Sequence, residues 1–597
     1  MALRLWRMAM PPTAPGGERS CVPANSTDSR PVAAGQSAAL ERLPARRPPV
    51  AWAEGAVLLL ALALLLPFVS KALTIDDPLF MWLARQIQRH PLDAYGFSGN
   101  WLGYEQPMHL SVLNPPLTSY WLALAGTVSW SEWWLHVAML PWPLLVLGGT
   151  MRLARRLGAN PALAGLLTLA TAAFLVSATN VMCDVMLTAL MVWSVTLWVE
   201  GLERRSLRRL LVSGLLAGLA ILTKYFGLAL VPLLLVYTVI RQRRLTGSLL
   251  PLLIPVAIVA GWNIWTQRLY GIPHMVACAE FAPSRTFTAW FPLNRLYPTA
   301  TFLGGCLIWP LVVALWRGGW LARAAMAAGL AVGPLGLRFW LTHKQGGAAG
   351  AAWEAYVLAA VFFAAGIALV YLAWRFLWAN RHDSTAWLLG LWVGGTVLFV
   401  FCVNWTVSGR NILPLVPALA LMAARPLAAR QGAAAGPAVV LPRCVAAVAV
   451  ALGLAAALAA TWADFNWANS VRLEAARLAD KYAARGRAFC ASNSGFQYYL
   501  EARGVPAFDW HKTTPAADDL FIASVTFLQQ EAPRDFLRWP CLETGAAANP
   551  ARLYLMNPAS GAGFYTHGFG PLPMSVGLRD ADRYVVLKPR PAGGSAD

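Results

Sequence analysis

The sequence predicts an all-α polytopic membrane protein of about thirteen transmembrane helices, followed by a small extracytoplasmic α/β domain. Three observations carry that prediction. Of 597 residues, 58% are hydrophobic and only 13% are charged, roughly half the charged share of soluble domains. Apolar runs close to the length of a bilayer core recur along most of the chain. Between them, basic residues fall in short clusters on alternate turns.

A spanning helix needs about 20 apolar residues. Runs near that length lie at 52–72, 134–151, 161–178, 182–201, 209–223, 226–241, 249–267, 299–316, 324–341, 354–374, 386–403, 410–424 and 441–462. The first follows Arg46-Arg47 and reads as an uncleaved helix running from inside to outside. Residues 1–50 are rich in Pro, Arg, Ala and Ser and read as a disordered cytoplasmic tail. The segment 116–130 is apolar but brief and interrupted, so it reads as a re-entrant or interfacial helix. The 28 tryptophans suit membrane interfaces.

Basic clusters test this threading. Arg152, Arg155 and Arg156 follow the second run, Arg204, Arg205, Arg208 and Arg209 the fourth, and Arg241, Arg243 and Arg244 the sixth. Arg317 and Arg323, Arg375 and Arg381, then Arg425 and Arg430 follow the eighth, tenth and twelfth. All share the side of the basic N-terminus, as the positive-inside rule requires. The net charge of +20 is therefore an orientation signal, and nucleic acid is not an expected partner. The expected location is a bacterial inner membrane, with the N-terminus cytoplasmic and the C-terminal domain periplasmic.

The outer side receives 73–133, 268–298, 342–353, 404–409 and everything after about 463. The membrane domain is thus expected over 51–462 and the α/β domain over 463–597. Short β-rich runs at Ala488–Ala491, Leu520–Val525 and Tyr584–Leu587 flank a helix-like stretch, Phe496–Ala502. Of eight cysteines none forms a C-x-x-C pair. Cys490 and Cys541 are the C-terminal domain's two; a disulfide and two free thiols both remain open.

Two outer carboxylates need a reason. Asp77 precedes Pro78, which reads as an N-cap with Pro at the first helical position. Leu79, Phe80, Leu83 and Ile87 then form an apolar stripe opposite Arg85, Gln88 and Arg89, an amphipathic helix lying on the membrane. Asp76 has no such structural explanation, and an unexplained carboxylate at the mouth of a membrane cavity is a functional candidate. Asp184 opens the fourth run on the same side, where favouring the helix dipole is the plain alternative.

Asp76-Asp77 after the first span, an amphipathic helix, then Asn114-Pro115-Pro116-Leu117-Thr118-Ser119-Tyr120-Trp121 resembles the first outer loop of GT-C class glycosyltransferases. The branch it resembles is that of protein O-mannosyltransferases and lipid A aminoarabinose transferases. Asn180–Leu190, Gly218–Lys224 and Ser408–Pro414 look like further family stretches, so the resemblance covers residues 50–425. The family carries Asp-Glu where this chain has Asp76-Asp77, which keeps the pair acidic. The resemblance implies a GT-C fold and a polyprenyl-phosphate sugar donor. The acceptor would be a hydroxyl on a lipid, glycan or protein. It also implies that Asp76 is the general base of an inverting displacement, with Asp77 and Asp184 in the same acidic group.

The leaving phosphate then needs cations. Lys224 and Arg410 are the strongest candidates, although a snorkelling lysine would also explain the first. Arg410 opens a helix, where a cation opposes the dipole, so its structural explanation is weak. His343-Lys344 and Arg285 lie in outer loops, where solvated charge is the commoner reading. No cofactor is required, but some family members hold a divalent cation. Glu105 and His109, spaced i, i+4, are the candidates for one, against a solvated loop pair. The competing class is a secondary transporter of a lipid or small solute. It should show repeated halves and charges near mid-bilayer, and the suspicious charges here sit at helix ends.

Overall fold

The computed structural model describes residues 51–286, 293–344, 351–425, 441–546, 552–577 and 582–589. Every one of the thirteen apolar runs is helical. Among the described residues, eight helices are long and apolar enough to cross a membrane. Two further runs are bent pairs: Pro161–Leu169 with Ala172–Ala178 at 70°, and Asn294–Cys306 with Trp309–Arg317 at 90°. Counting each pair as one span gives ten. The first run, Trp52–Phe68, and the twelfth, Gly409–Ala424, are shorter apolar helices. The fifth is helix Leu207–Thr223. Hydropathy thus located the helices, while length and bending separate the full spans from the rest.

Local chemistry sets the breaks. Asn160 caps one half of the first bent pair by accepting from the Leu163 amide, with Pro161 just inside. Thr171 caps the other by accepting from Phe174. The chain therefore turns between them. Asn180–Cys183 leads from this pair into helix Asp184–Glu203.

The basic clusters come together in space. Glu200 is fully buried and takes Arg152 at 2.7 Å, Arg156 at 3.1 Å and Arg209 at 3.6 Å. Arg155 pairs with Glu54 at the start of the first helix, and Arg425 with Asp383 at 2.7 Å. Glu200 thus gathers arginines that follow the second apolar run and open the fifth.

The loop after the first helix packs inward. Leu79, Phe80, Leu83 and Ile87 of helix Asp77–Arg89 are buried, and Arg85, Gln88 and Arg89 are not. The stripe expected to face lipid instead meets protein, namely helices Leu117–Ala125 and Ser494–Glu501. Gln88 Nε2 donates to Ala123 O at 2.8 Å. Helix Leu117–Ala125 has nine residues and rises only about 14 Å, too little to cross a bilayer.

Helix Arg443–Tyr482 has forty residues, about 60 Å of rise against a hydrocarbon core of roughly 30 Å. Its sequence turns polar after about 463, and the boundary expected there falls inside the continuous helix. Beyond it lies a four-stranded sheet ordered Ala488–Cys490, Leu520–Ser524, Arg583–Leu587, Cys541–Ala546. The first two strands pair in parallel and the others antiparallel. Three of these strands and helix Ser494–Glu501 match the β-rich and helical runs in the sequence. Cys490 and Cys541 sit on the two outermost strands, so about 14 Å of sheet separates them, beyond disulfide reach. Both are free thiols.

Two glycines tie this region to the membrane helices. A Cβ on Gly495 would lie 2.2 Å from Leu73 O, and one on Gly409 would lie 2.4 Å from the Phe564 ring. Only glycine permits either approach. The Gly409 amide also donates to Phe564 O at 2.8 Å, and the His567 amide to Val407 O at 2.9 Å.

Candidate active site

Three helix ends and one strained turn meet around a cavity of about 590 Å³. Asp76, Lys224, Arg410, Asn411 and Tyr565 are among its polar lining residues. Phe80, Trp101, Leu110, Phe281, Phe399 and Trp405 are among its apolar lining residues. Concave, mostly apolar pockets with a few convergent polar groups are the usual form of ligand sites.

Asp76 is aimed by strain. Ile75 before it has φ 52°, a left-handed conformation that is costly for a β-branched residue. Ser494, also on the cavity wall, has φ 69°. The Asp76 side chain is 30% exposed, and its Oδ2 pairs with Arg410 Nη2 at 2.6 Å. It makes no cap bond to the following helix. Its Oδ1 has no hydrogen-bond partner among the described residues.

Asp77 has another task. It is the first residue of the helix rather than its cap, and it is fully buried. Its two oxygens accept from the Thr74 amide at 2.9 Å and the Val181 amide at 3.1 Å. This clips the first outer loop to the turn before Asp184. Burial pushes Asp77 up to about 7 against the opposing pull of Lys71 and the two amides. It does not reach the cavity wall.

Asp184 is the first residue of its helix and is nearly sealed. Its Oδ1 accepts from Lys224 Nζ at 2.7 Å. Lys224 ends helix Leu207–Thr223 in an extended conformation, which turns its side chain inward rather than toward a lipid surface. It also donates to Asn411 Oδ1 at 2.8 Å. Arg410 comes from the short helix Gly409–Ile412, capped by Ser408. Its Nη1 contacts Met182 Sδ at 3.0 Å, and its guanidinium lies 5.9 Å from the centre of the Tyr565 ring. Asp76, Asp184, Lys224 and Arg410 therefore form one constellation.

The remaining sequence candidates lie elsewhere. Glu105 is on strand Glu105–Pro107 and His109 on helix Met108–Ser111, so the shared helical face does not exist. Glu105 pairs with Lys512, and the His109 ring stacks on Tyr270 at 4.8 Å. Among the described residues no group of three or more His, Cys, Asp or Glu is placed to hold a metal ion. Asp76, the acidic residue among those lining the cavity, already faces Arg410, and Asp184 beside the cavity faces Lys224. His343 is exposed and its Nδ1 lies 2.9 Å from Phe339 O. The side chains of Arg285 and Lys344 fall outside the described residues.

Sequence reasoning missed a second charged group behind the first. Lys71 is fully buried and donates to Asn180 Oδ1 and Asp464 Oδ2. The Tyr565 hydroxyl donates to Asp464 Oδ2 at 2.8 Å and accepts from Asn180 Nδ2 at 3.0 Å. Asp464 offered a signal, since it is an acid at the end of an apolar run. Tyr565 offered none, because only folding carries it to Arg410.

Residues 113–265 match the family described as dolichyl-phosphate-mannose-protein mannosyltransferase. The match includes Asn114–Trp121, Asn180–Leu190 and Lys224; Asp76 and Arg410 lie outside it. No curated protein matches the chain. Among solved structures the chain is similar to ArnT from Cupriavidus metallidurans bound to undecaprenyl phosphate. That similarity is 17% identity over 90% of this chain and 97% of that one, with a TM-score of 0.40. It is also similar to the Archaeoglobus fulgidus oligosaccharyltransferase, at 13% identity over 72% and 59% with a TM-score of 0.36. The arabinosyltransferase EmbB of Mycobacterium smegmatis gives 16% identity over 86% and 50%, with a TM-score of 0.29. The family match agrees with the resemblance read from the outer loop. The chain resembles GT-C glycosyltransferases of the protein O-mannosyltransferase and aminoarabinose transferase branch.

Proposed function

We propose that this protein transfers a sugar from a polyprenyl-phosphate donor to a hydroxyl acceptor on the non-cytoplasmic face of the bacterial inner membrane, with inversion. One observation carries the reading. A carboxylate with a free oxygen lines the same cavity as two cations and a set of apolar side chains.

The acceptor O–H donates to Asp76 Oδ1 while Arg410 holds Oδ2. As the acceptor oxygen attacks the anomeric carbon, its proton passes to Asp76. The bond to the donor phosphate oxygen breaks on the opposite face of the sugar, and that oxygen keeps the electron pair. A single displacement of this kind inverts the anomeric centre, by the logic of inverting glycosidases with the acceptor in place of water. The departing phosphate is already a good leaving group and needs positive charge more than a proton. Lys224 has three donors and spends two on Asp184 and Asn411, so one remains for the phosphate. Arg410 presents five N–H groups, more than its present partners use. Asp184 positions Lys224, and Asp77 holds the loop that carries Asp76. Phe80, Leu110, Phe281 and Phe399 offer the prenyl chain an apolar path.

Purified protein in detergent, given a panel of polyprenyl-phosphate sugars, should release polyprenyl phosphate only with its own donor and acceptor. Asp76→Asn should abolish the release while still binding the donor. If wild type binds these lipids but consumes none, the transporter reading replaces this one.

A further inference from the structure

A second cavity lies among helices Trp309–Arg317, Trp353–Ala379 and Val416–Ala424. Trp309, Arg317, Arg375 and Met422 are among its lining residues, and no Asp or Glu is. It is far from the site just described. Helix Ser384–Leu398 starts beside it, after Asp383, and its continuation reaches the first cavity at Phe399 and Val403. Twenty residues of that span correspond to about 30 Å.

The donors here are orphaned. Arg317 Nε, Arg317 Nη2 and Trp309 Nε1 are buried with no hydrogen-bond partner. Arg375 Nη1 donates to Arg317 O at 2.5 Å and to the Tyr371 hydroxyl at 3.0 Å, which joins the two arginines without neutralising either. Among the described residues neither arginine has a carboxylate within ion-pair distance. The acid near this membrane end, Asp383, is held by Arg425. Buried N–H groups without acceptors are costly, more so on charged groups. Two guanidinium groups around one acid-free pocket also repel each other. An oxyanion removes both costs at once.

The position narrows the choice of anion. Arg317 ends its helix and Arg375 lies four residues before the end of helix Trp353–Ala379, on the face to which the positive-inside rule assigns the basic clusters and where anionic lipid headgroups lie. Both side chains are half-buried, so they reach the surface as well as the pocket. The cavity, about 20 Å³, admits one oxygen-sized atom. A headgroup would insert a phosphoryl oxygen and leave its bulk at the mouth. The guanidinium fork matches phosphate oxygens in geometry. We propose that Arg317, Arg375 and Trp309 form a phosphate-binding site for an anionic phospholipid headgroup, separate from the sugar-transfer cavity and independent of its chemistry.

Native mass spectrometry of the full chain in neutral detergent tests this, with phosphatidylglycerol, phosphatidylcholine and inorganic phosphate as probes. Wild type should retain phosphatidylglycerol over phosphatidylcholine. Arg317→Gln and Arg375→Gln should each weaken retention roughly tenfold, while the exposed Arg381→Gln should leave it unchanged. Displacement by millimolar inorganic phosphate would assign recognition to the phosphate alone; persistence would assign it to the lipid-borne group. Equal retention by wild type and both Gln variants overturns the proposal. If the Gln variants do not fold, thermal unfolding of wild type and of Arg375→Lys decides. Phosphatidylglycerol must raise the midpoint of both above that with phosphatidylcholine, and no difference overturns the site.

Discussion

Asp76–Arg410 and Asp464–Lys71 are both carboxylate–cation pairs, and Tyr565 touches both. Its hydroxyl bonds to Asp464, and its ring lies beside Arg410. Their surroundings differ. Side-chain exposure is 30% and 13% for Asp76 and Arg410, and zero for both members of the other pair. The sealed pair adds Asn180 and Tyr565, while the open pair leaves one carboxylate oxygen free. The same charge chemistry is thus open to the cavity in one place and sealed in the other, and under the proposed function that access separates a reacting pair from a structural one.

Substitution should separate the two. Asp76→Asn should lower turnover by about 10²- to 10⁴-fold, read as polyprenyl-phosphate release, with the unfolding midpoint almost unchanged. Asp464→Leu should instead destabilise the fold by about 3–5 kcal/mol, because it strands a buried lysine. Unfolding in detergent would measure this, and the double variant Lys71→Met/Asp464→Leu should recover much of the loss. If Asp464→Leu removes activity from a normally stable protein, the sealed pair takes part in the reaction and the contrast fails.

Smaller effects sharpen it. Lys224→Gln should raise the donor KM about tenfold or more, with Lys224→Arg intermediate, if the third lysine donor meets the phosphate. Tyr565→Phe keeps the ring beside Arg410 and removes one hydrogen bond to Asp464. It should cost about 1–2 kcal/mol of stability and little activity, as seen by comparing melting with kcat.

Asp582 gives a third kind of carboxylate, buried with no cation paired to it among the described residues. Burial pushes it up to about 6, while Ser524 and Thr526 pull the other way. Ser524 Oγ is 2.8 Å from its Oδ2. Between about pH 4 and pH 6 the folded state keeps a proton that the unfolded state has lost. Stability from this group should therefore fall as pH rises through that window and level off above it. Asp582→Asn should flatten that part of the pH–stability curve, and an unchanged slope would remove the assignment.

The sequence by itself located all thirteen apolar helices, because a bilayer demands a length of apolar chain that composition displays directly. It also assigned Arg152, Arg156 and Arg209 to one end, and these three meet at Glu200. Asp76, Asp184, Lys224 and Arg410 were legible because charges at the ends of apolar runs are few and costly. Periodicity could not say what the apolar face of helix Asp77–Arg89 meets, since lipid and protein select the same residues. Nor could spacing show that Glu105 and His109 lie on different elements. Only the tertiary structure made Asp77 a clip, Asp184 a holder of Lys224 and Tyr565 a neighbour of Arg410. Those roles depend on contacts between residues 40 or more positions apart, and 104 apart for Asp77 and Val181, and such distances leave no periodic trace in a sequence.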